Sequence, residues 1–219
     1  MQLKVFMVLM CISMEYTNIN DATMTMIDTR GIDYTKTVST DMTFNNIVDF
    51  VIAREGTAYV RDYSINEESR MGITTHTYKR YYGHINSLSI KNLTKDQAVA
   101  IYKKFYWDAN NLDKIAKLGY TKTVATLMDS EVNLGSSRAN KMLQKIIGMP
   151  YNERNGVIDD NTISYIKKSD IVDDSLYIKL IFARKTYYTR LVHKRPVFYK
   201  YKTGWFNRLD SIVTFVKEV

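Results

Sequence analysis

Glu55 is the residue whose setting most invites acid chemistry. It lies in Arg54-Glu55-Gly56, just after Phe44, Ile47, Val48 and Val51, which recur at the spacing of one helical face. Gly56 can adopt the left-handed conformation that ends a helix, so Glu55 falls in the last turn. The exposed carbonyls there carry about half a negative charge and disfavour an ionised carboxylate. Apolar neighbours act in the same direction, because desolvation penalises the charged form. A carboxyl group held neutral can protonate the leaving oxygen of a glycosidic bond. The competing reading is a solvated glutamate at a helix end, with arginine beside it.

The elements that must position Glu55 are mostly helical. Thr43 or Asp41 can cap the helix that carries it. Residues 59–74 lack helical periodicity and read as a hairpin-like excursion that returns at Met71-Gly72-Ile73. Residues 75–82 read as a short helix stopped at Gly83. Thr94 and Gln97 form a capping box that opens a helix bearing Ala98, Ile101, Tyr102, Phe105 and Tyr106. Val124, Leu127, Met128 and Val132 mark the next helix, and Ala139, Met142, Leu143 and Ile146 another, before Pro150. Asp160 or Asn161 can cap a helix through Lys167. After Asp173-Asp174, Leu176, Leu180, Ile181, Arg184, Tyr187, Tyr188 and Leu191 recur near helical spacing. Leu209, Ile212, Val213 and Val216 mark a last amphipathic helix. No period-two alternation is visible, so the fold class expected is mainly α, with about eight helices.

Composition narrows the partners. The 219 residues carry a net charge of +8 and are 45% hydrophobic, which supports a packed core and an anionic partner. One cysteine, Cys11, excludes an internal disulfide, and the 3 histidines are scattered, so no metal and no cofactor are expected. The apolar run at residues 5–14 is too short to span a bilayer; it suits a signal-peptide core, without a cleavage pattern, or a packed element. Residues 18–40 read as a polar linker or arm. Arg184-Lys185-Thr186-Tyr187-Tyr188 and residues 193–202 interleave cations with aromatics, as nucleic-acid or envelope-polymer contacts would. A helix with a solvated basic face explains them equally. Trp107 and Trp205 read as core anchors. Asp129 and Asn133, one turn apart, read as holding a helix end near the cleft.

Several segments, in order, resemble the family 108 glycoside hydrolases, N-acetylmuramidases of phages and bacteria related to lysozymes. These are Glu55-Gly56 with Tyr59-Val60, then Asp62, then Ser69-Arg70-Met71-Gly72-Ile73-Thr74. Asp96-Gln97-Ala98 with Ile101-Tyr102 and Tyr106-Trp107 is similar to the family's second helix. Asp129-Ser130-Glu131-Val132-Asn133-Leu134-Gly135 is similar to its Asp-x-x-Val-Asn-x-Gly segment. Ala139 through Gln144 and Asn155 through Thr162 resemble the start of the small peptidoglycan-binding domain that usually follows. Gly204-Trp205-Phe206-Asn207-Arg208 resembles that domain's closing motif.

The resemblance implies a lysozyme-like helical domain at 43–137 and a small helical peptidoglycan-binding-like domain at 138–219, after an N-terminal segment and arm at 1–42. It implies a peptidoglycan hydrolase cutting between N-acetylmuramic acid and N-acetylglucosamine, with Glu55 as catalytic acid. The family's second Asp falls on Ser64 and its paired glycines on Asn66-Glu67, so Asp62, Glu67 and Glu68 remain candidates for the second carboxylate. Ser69 stands where the family has Thr and keeps a hydroxyl that can orient a water. The implied catalytic set is Glu55, Asp62 and Ser69, with Tyr59, Glu68 and Thr74 binding substrate. A lytic transglycosylase forming 1,6-anhydro products, and a catalytically degenerate wall-binding or virion protein, are the alternatives. The implied partners are glycan strands, anionic envelope polymers and, for a particle-borne protein, other virion proteins; no specific nucleic acid is expected. The implied location is the bacterial periplasm or cell wall, reached by release from a phage-infected host or in the virion.

Overall fold

Helix α1 (Thr40–Glu55) forms because Phe44, Ile47, Val48, Val51 and Ile52 line one face, and all five are buried. The structure, a computed structural model, describes residues 40–63, 66–86 and 88–218. The apolar run at 5–14, most of the polar arm and Ser64 therefore lie outside the described residues. The helix starts earlier than the sequence suggests. Thr43 is inside it and 2% exposed, so it packs rather than caps. Gly56, at φ +82°, ends the helix by donating its N–H to Ile52 O at 3.0 Å.

The excursion after Glu55 is an antiparallel meander of β1 (Val60–Asp62), β2 (Glu67–Arg70) and β3 (Ile73–Thr74). Val60 pairs with Ser69, and Ser69 with Thr74, so both hydroxyls sit on adjacent strands. Strands this short and polar leave no alternation to read in the sequence. Met71 and Gly72, both with positive φ, turn β2 into β3 as a tight hairpin requires. Arg70 ties the sheet down through Thr57 O and Lys91 O, at 3.1 and 2.7 Å.

Helix α2 (Thr75–Tyr82) is capped by the Thr74 hydroxyl, which accepts from Thr77 N–H. Helix α3 (Lys95–Tyr102) opens with the expected Thr94–Gln97 capping box and continues as a π-helical turn, Lys103–Asp108. Trp107 in that turn is buried edge-on against Phe44, with centroids 5.3 Å apart, the core role expected of it. Then come α4 (Leu112–Ala116) and α5 (Thr121–Leu134). Residues 123–131 of α5 are all buried, and the helix packs against α1, α4, α6, α8 and α9. A helix covered on every side marks the centre of the core.

The remaining helices are α6 (Ser136–Ile146), α7 (Asp160–Lys168), α8 (Asp173–Lys194) and α9 (Lys202–Phe215). One capping expectation needs correction. Asp159, not Asp160 or Asn161, caps α7 by accepting from Thr162 N–H at 2.8 Å. Asp173 serves α5 instead of its own helix, accepting from Lys122 and Thr123 N–H at 2.9 and 2.8 Å. A carboxylate at a neighbouring helix's N-terminus satisfies orphan donors and the helix dipole together. Residues 40–218 pack as one compact unit.

Candidate active site

Glu55 is the last residue of α1, and its side chain lies against Gly72 of the hairpin turn. The apolar setting expected for it is not what it has. Arg208 on α9, 153 residues along the chain, donates Nη1–H to Glu55 Oε1 at 2.7 Å. The Glu55 side chain keeps 23% exposure and that of Arg208 12%. Arg208 also donates Nε–H to Asp129 Oδ1 at 2.9 Å, and Arg184 donates to Asp129 Oδ2 at 2.6 Å. Burial alone would lower the Arg208 pKa; the Asp129 and Glu55 carboxylates outweigh it and leave it raised. Arg184 passes a further bond to Tyr188 OH, which donates to Asn133. A chain of alternating charges thus runs from fully buried Arg184 and Asp129 through Arg208 to the partly open Glu55 carboxylate. Asp129 and Asn133 do hold a helix in place, as expected, through partners on α8 and α9.

Gly72 fixes the other side of Glu55. Its φ is +73°, and a Cβ there would lie 2.3 Å from Tyr102 Oη and 2.7 Å from Glu55 Cγ. Tyr102 in turn donates to Met71 O at 3.0 Å, anchoring the turn to α3. Burial, then the Glu55 carboxylate, raise the Tyr102 pKa, so its hydroxyl stays a donor. Gly72→Ala is expected to cost roughly 1–3 kcal/mol in strain. By shifting Glu55 it should also lower turnover by about a hundredfold, a loss that steady-state kinetics on solubilised peptidoglycan would detect.

The other residues singled out from the sequence sit on the sheet. Asp62 is exposed on β1, opposite Glu67. Ser69 is half-buried on β2 between Val60 and Thr74. Glu67 accepts from His76 N–H at 3.2 Å, and Glu68 pairs with Arg61 at 3.4 Å. Tyr59 is bonded to Glu68, the main reason its pKa is raised. Thr74 has its hydroxyl committed to the α2 cap. Of the basic-aromatic stretch, Arg184 and Tyr188 are buried, so the stretch is not a continuous solvated or nucleic-acid-facing surface. Trp205 is half-buried and stacked on Tyr188 at 4.9 Å.

A pocket of about 430 Å³ opens beside this region, between α2, the π-helical turn and the end of α5. Tyr106 lines it, and its pKa is raised by burial first and then by the charges of Glu55 and Glu131. Glu131, also on the wall, is fully buried; Oε2 accepts from Asn110 Nδ2 at 3.1 Å. Burial pushes its pKa well above the ordinary carboxylate range. Between the unfolded and folded pKa values the unfolded chain ionises and the folded one resists. The stability present below the unfolded value is therefore lost as pH rises, at about 1.4 kcal/mol per pH unit. Glu131→Gln should raise the melting temperature above the window's lower edge, with the gain vanishing in acid; thermal scans across pH check this. Among the described residues no group of His, Cys, Asp or Glu is placed to hold a metal ion.

A helix-end glutamate under a small sheet, with a helical body closing the far side, defines a lysozyme-like glycoside hydrolase. Residues 48–135 match the glycosyl hydrolase 108 family and residues 138–210 a predicted peptidoglycan domain. Among solved structures, SagA of Brucella abortus is similar, with a TM-score of 0.66 and 26% identity, covering 81% of this chain and 95% of that one. No curated protein matches the sequence significantly. Residues 48–135 are thus a glycosyl hydrolase 108 domain and residues 138–210 a peptidoglycan domain; the chain is a peptidoglycan hydrolase. The sequence pointed to Glu55, but Arg208 and Gly72 entered it only as letters of motifs, with no role attached.

Proposed function

We propose that the enzyme hydrolyses the β-1,4 bond between N-acetylmuramic acid and N-acetylglucosamine, acting at the bacterial cell wall. The observation that carries this reading is Glu55 itself: partly open, at a helix end, and gripped by Arg208 and Gly72 on two sides. Arg208 engages Oε1, which leaves Oε2 to carry the proton given to the glycosidic oxygen. An oxocarbenium-like sugar then develops. A water held by the Ser69 hydroxyl and activated by Asp62 completes hydrolysis. Glu67 accepts from His76 N–H and Glu68 is paired with Arg61; Asp62, on β1, is assigned this step from the family resemblance. Tyr59, Glu68 and Thr74 would border the strand on the sheet side. In this reading residues 43–137 cut and residues 138–219 hold the wall, and the family resemblance favours a phage origin.

A second reading, lytic transglycosylation, is favoured by the same commitment of Glu67 and Glu68, which leaves few carboxylates to activate water. Mass spectrometry of borohydride-reduced digests of purified peptidoglycan separates the two. Reduced N-acetylmuramic acid ends, with one water added per cut, support hydrolysis. Anhydro ends without added water support the transglycosylase, and reduced N-acetylglucosamine ends would overturn the bond assignment.

A further inference from the structure

The pocket beside Tyr106 does not end at α5. Gly135 and Ser136, on its rim, also border a cavity of about 610 Å³ along α6. That cavity shares Met142 and Lys145 with another, of about 420 Å³, in the groove between α6 and α8. Through these shared lining residues the three cavities follow one another from the end of α5 along α6 to α8, and the last two form a trough on the peptidoglycan domain.

The trough has a specific chemistry. Arg138, Lys141 and Lys145 follow one another at helical three- and four-residue steps on α6, and Arg190 faces them from α8. All four are exposed. Among the described residues none is paired with a carboxylate, and no acidic residue lines either cavity. The floor is apolar, with half-buried Met142 and with Tyr187 beneath Arg138, whose guanidinium lies 5.0 Å from the ring centroid. Unpaired cations over an apolar floor fit a ligand with both carboxylates and aliphatic groups.

We propose that this trough binds the carboxylate-bearing peptide stem of the glycan strand. The proposal rests on reading the Glu55 cleft as the glycan site. A stem hangs from the lactyl group of the muramyl sugar, so it leaves a bound strand sideways, beside the linkage being cut. Its carboxylates meet the cations, and its alanine methyls and aliphatic arms meet Met142 and Tyr187. A wall phosphate polymer would use the cations but gain nothing from the floor.

The test measures cosedimentation of the full chain in a Glu55→Gln background, so that no cutting disturbs the binding. The pulled-down materials are sacculi free of teichoic acid, the same strands stripped of stems by an amidase, and walls retaining teichoic acid. Lys141→Glu with Lys145→Glu should weaken binding to intact sacculi by about tenfold at low ionic strength and leave stripped strands unaffected. Both side chains are exposed, and an unchanged melting temperature confirms the fold. An equal loss on both strands, or none on sacculi, overturns the proposal. A loss confined to walls with teichoic acid also overturns it and assigns the trough to phosphate. Hydrolysis by the unmodified enzyme is read separately: its failure would sink the muramidase reading while this binding comparison still stands.

Discussion

Glu55→Gln is expected to lower peptidoglycan hydrolysis by about a thousandfold, with the fold intact. The amide keeps the shape of the side chain and can still accept from Arg208 at the oxygen now held at 2.7 Å. What it loses is a transferable proton, and general acid assistance contributes about 10²–10⁴-fold. Stability should change little, because the pair is partly open to solvent and Arg208 retains Asp129. Glu55→Asp sharpens the point: it keeps the acid but withdraws it by one methylene from both Arg208 and Gly72. Its rate should fall by about a hundredfold, the cost of a misplacement of about 1 Å. Turbidity loss of sacculi together with thermal melting tests both variants; hydrolysis by Glu55→Gln at the unmodified rate would remove Glu55 from the mechanism.

The sequence carried most of the helices, because each has a strong apolar face and a readable end. The capping box at Thr94 and the stop at Gly83 appear where composition places them. The sheet was legible only as an interruption, since strands of two to four polar residues carry no pattern. The electrostatics of the site were legible in a different way. Leu176, Leu180, Arg184 and Tyr188 recur every four residues on α8, so spacing alone puts Arg184 in the buried stripe. Its charge, beside Lys185, argued for solvent. Spacing prevails because Asp129, fully buried in the middle of α5, supplies the counter-charge. Neither residue makes sense without the other, and 55 positions separate them. Glu131 poses the same difficulty without a counter-ion: it is buried by its place on α5, and staying protonated is how it tolerates that place.

Arg208 ties the two family segments together through its ion pairs, and its replacement should separate stability from rate. Arg208 belongs to the peptidoglycan domain segment, 138–210, yet its guanidinium bridges Asp129 and Glu55, both in the hydrolase segment, 48–135. Arg208→Ala leaves Asp129 fully buried with Arg184 as its remaining cation, and breaking a buried pair in this way costs about 3–5 kcal/mol. Lost activity in that variant would say little by itself, because part of the protein could be unfolded. Arg208→Lys is the informative change. An ammonium can satisfy Asp129 or Glu55 but cannot hold both in the planar fork that Nε and Nη1 provide. Because Asp129 is the deeper and more completely buried partner, the lysine should settle on it and let Glu55 go. Most of the stability should return while kcat stays low by about tenfold to a hundredfold, with KM little changed, since Arg208 orients the acid and does not bind the strand. Urea unfolding and initial rates on the same preparations separate the two effects. Full recovery of kcat in Arg208→Lys would reduce Arg208 to a structural counter-ion and leave Gly72 alone to position the acid.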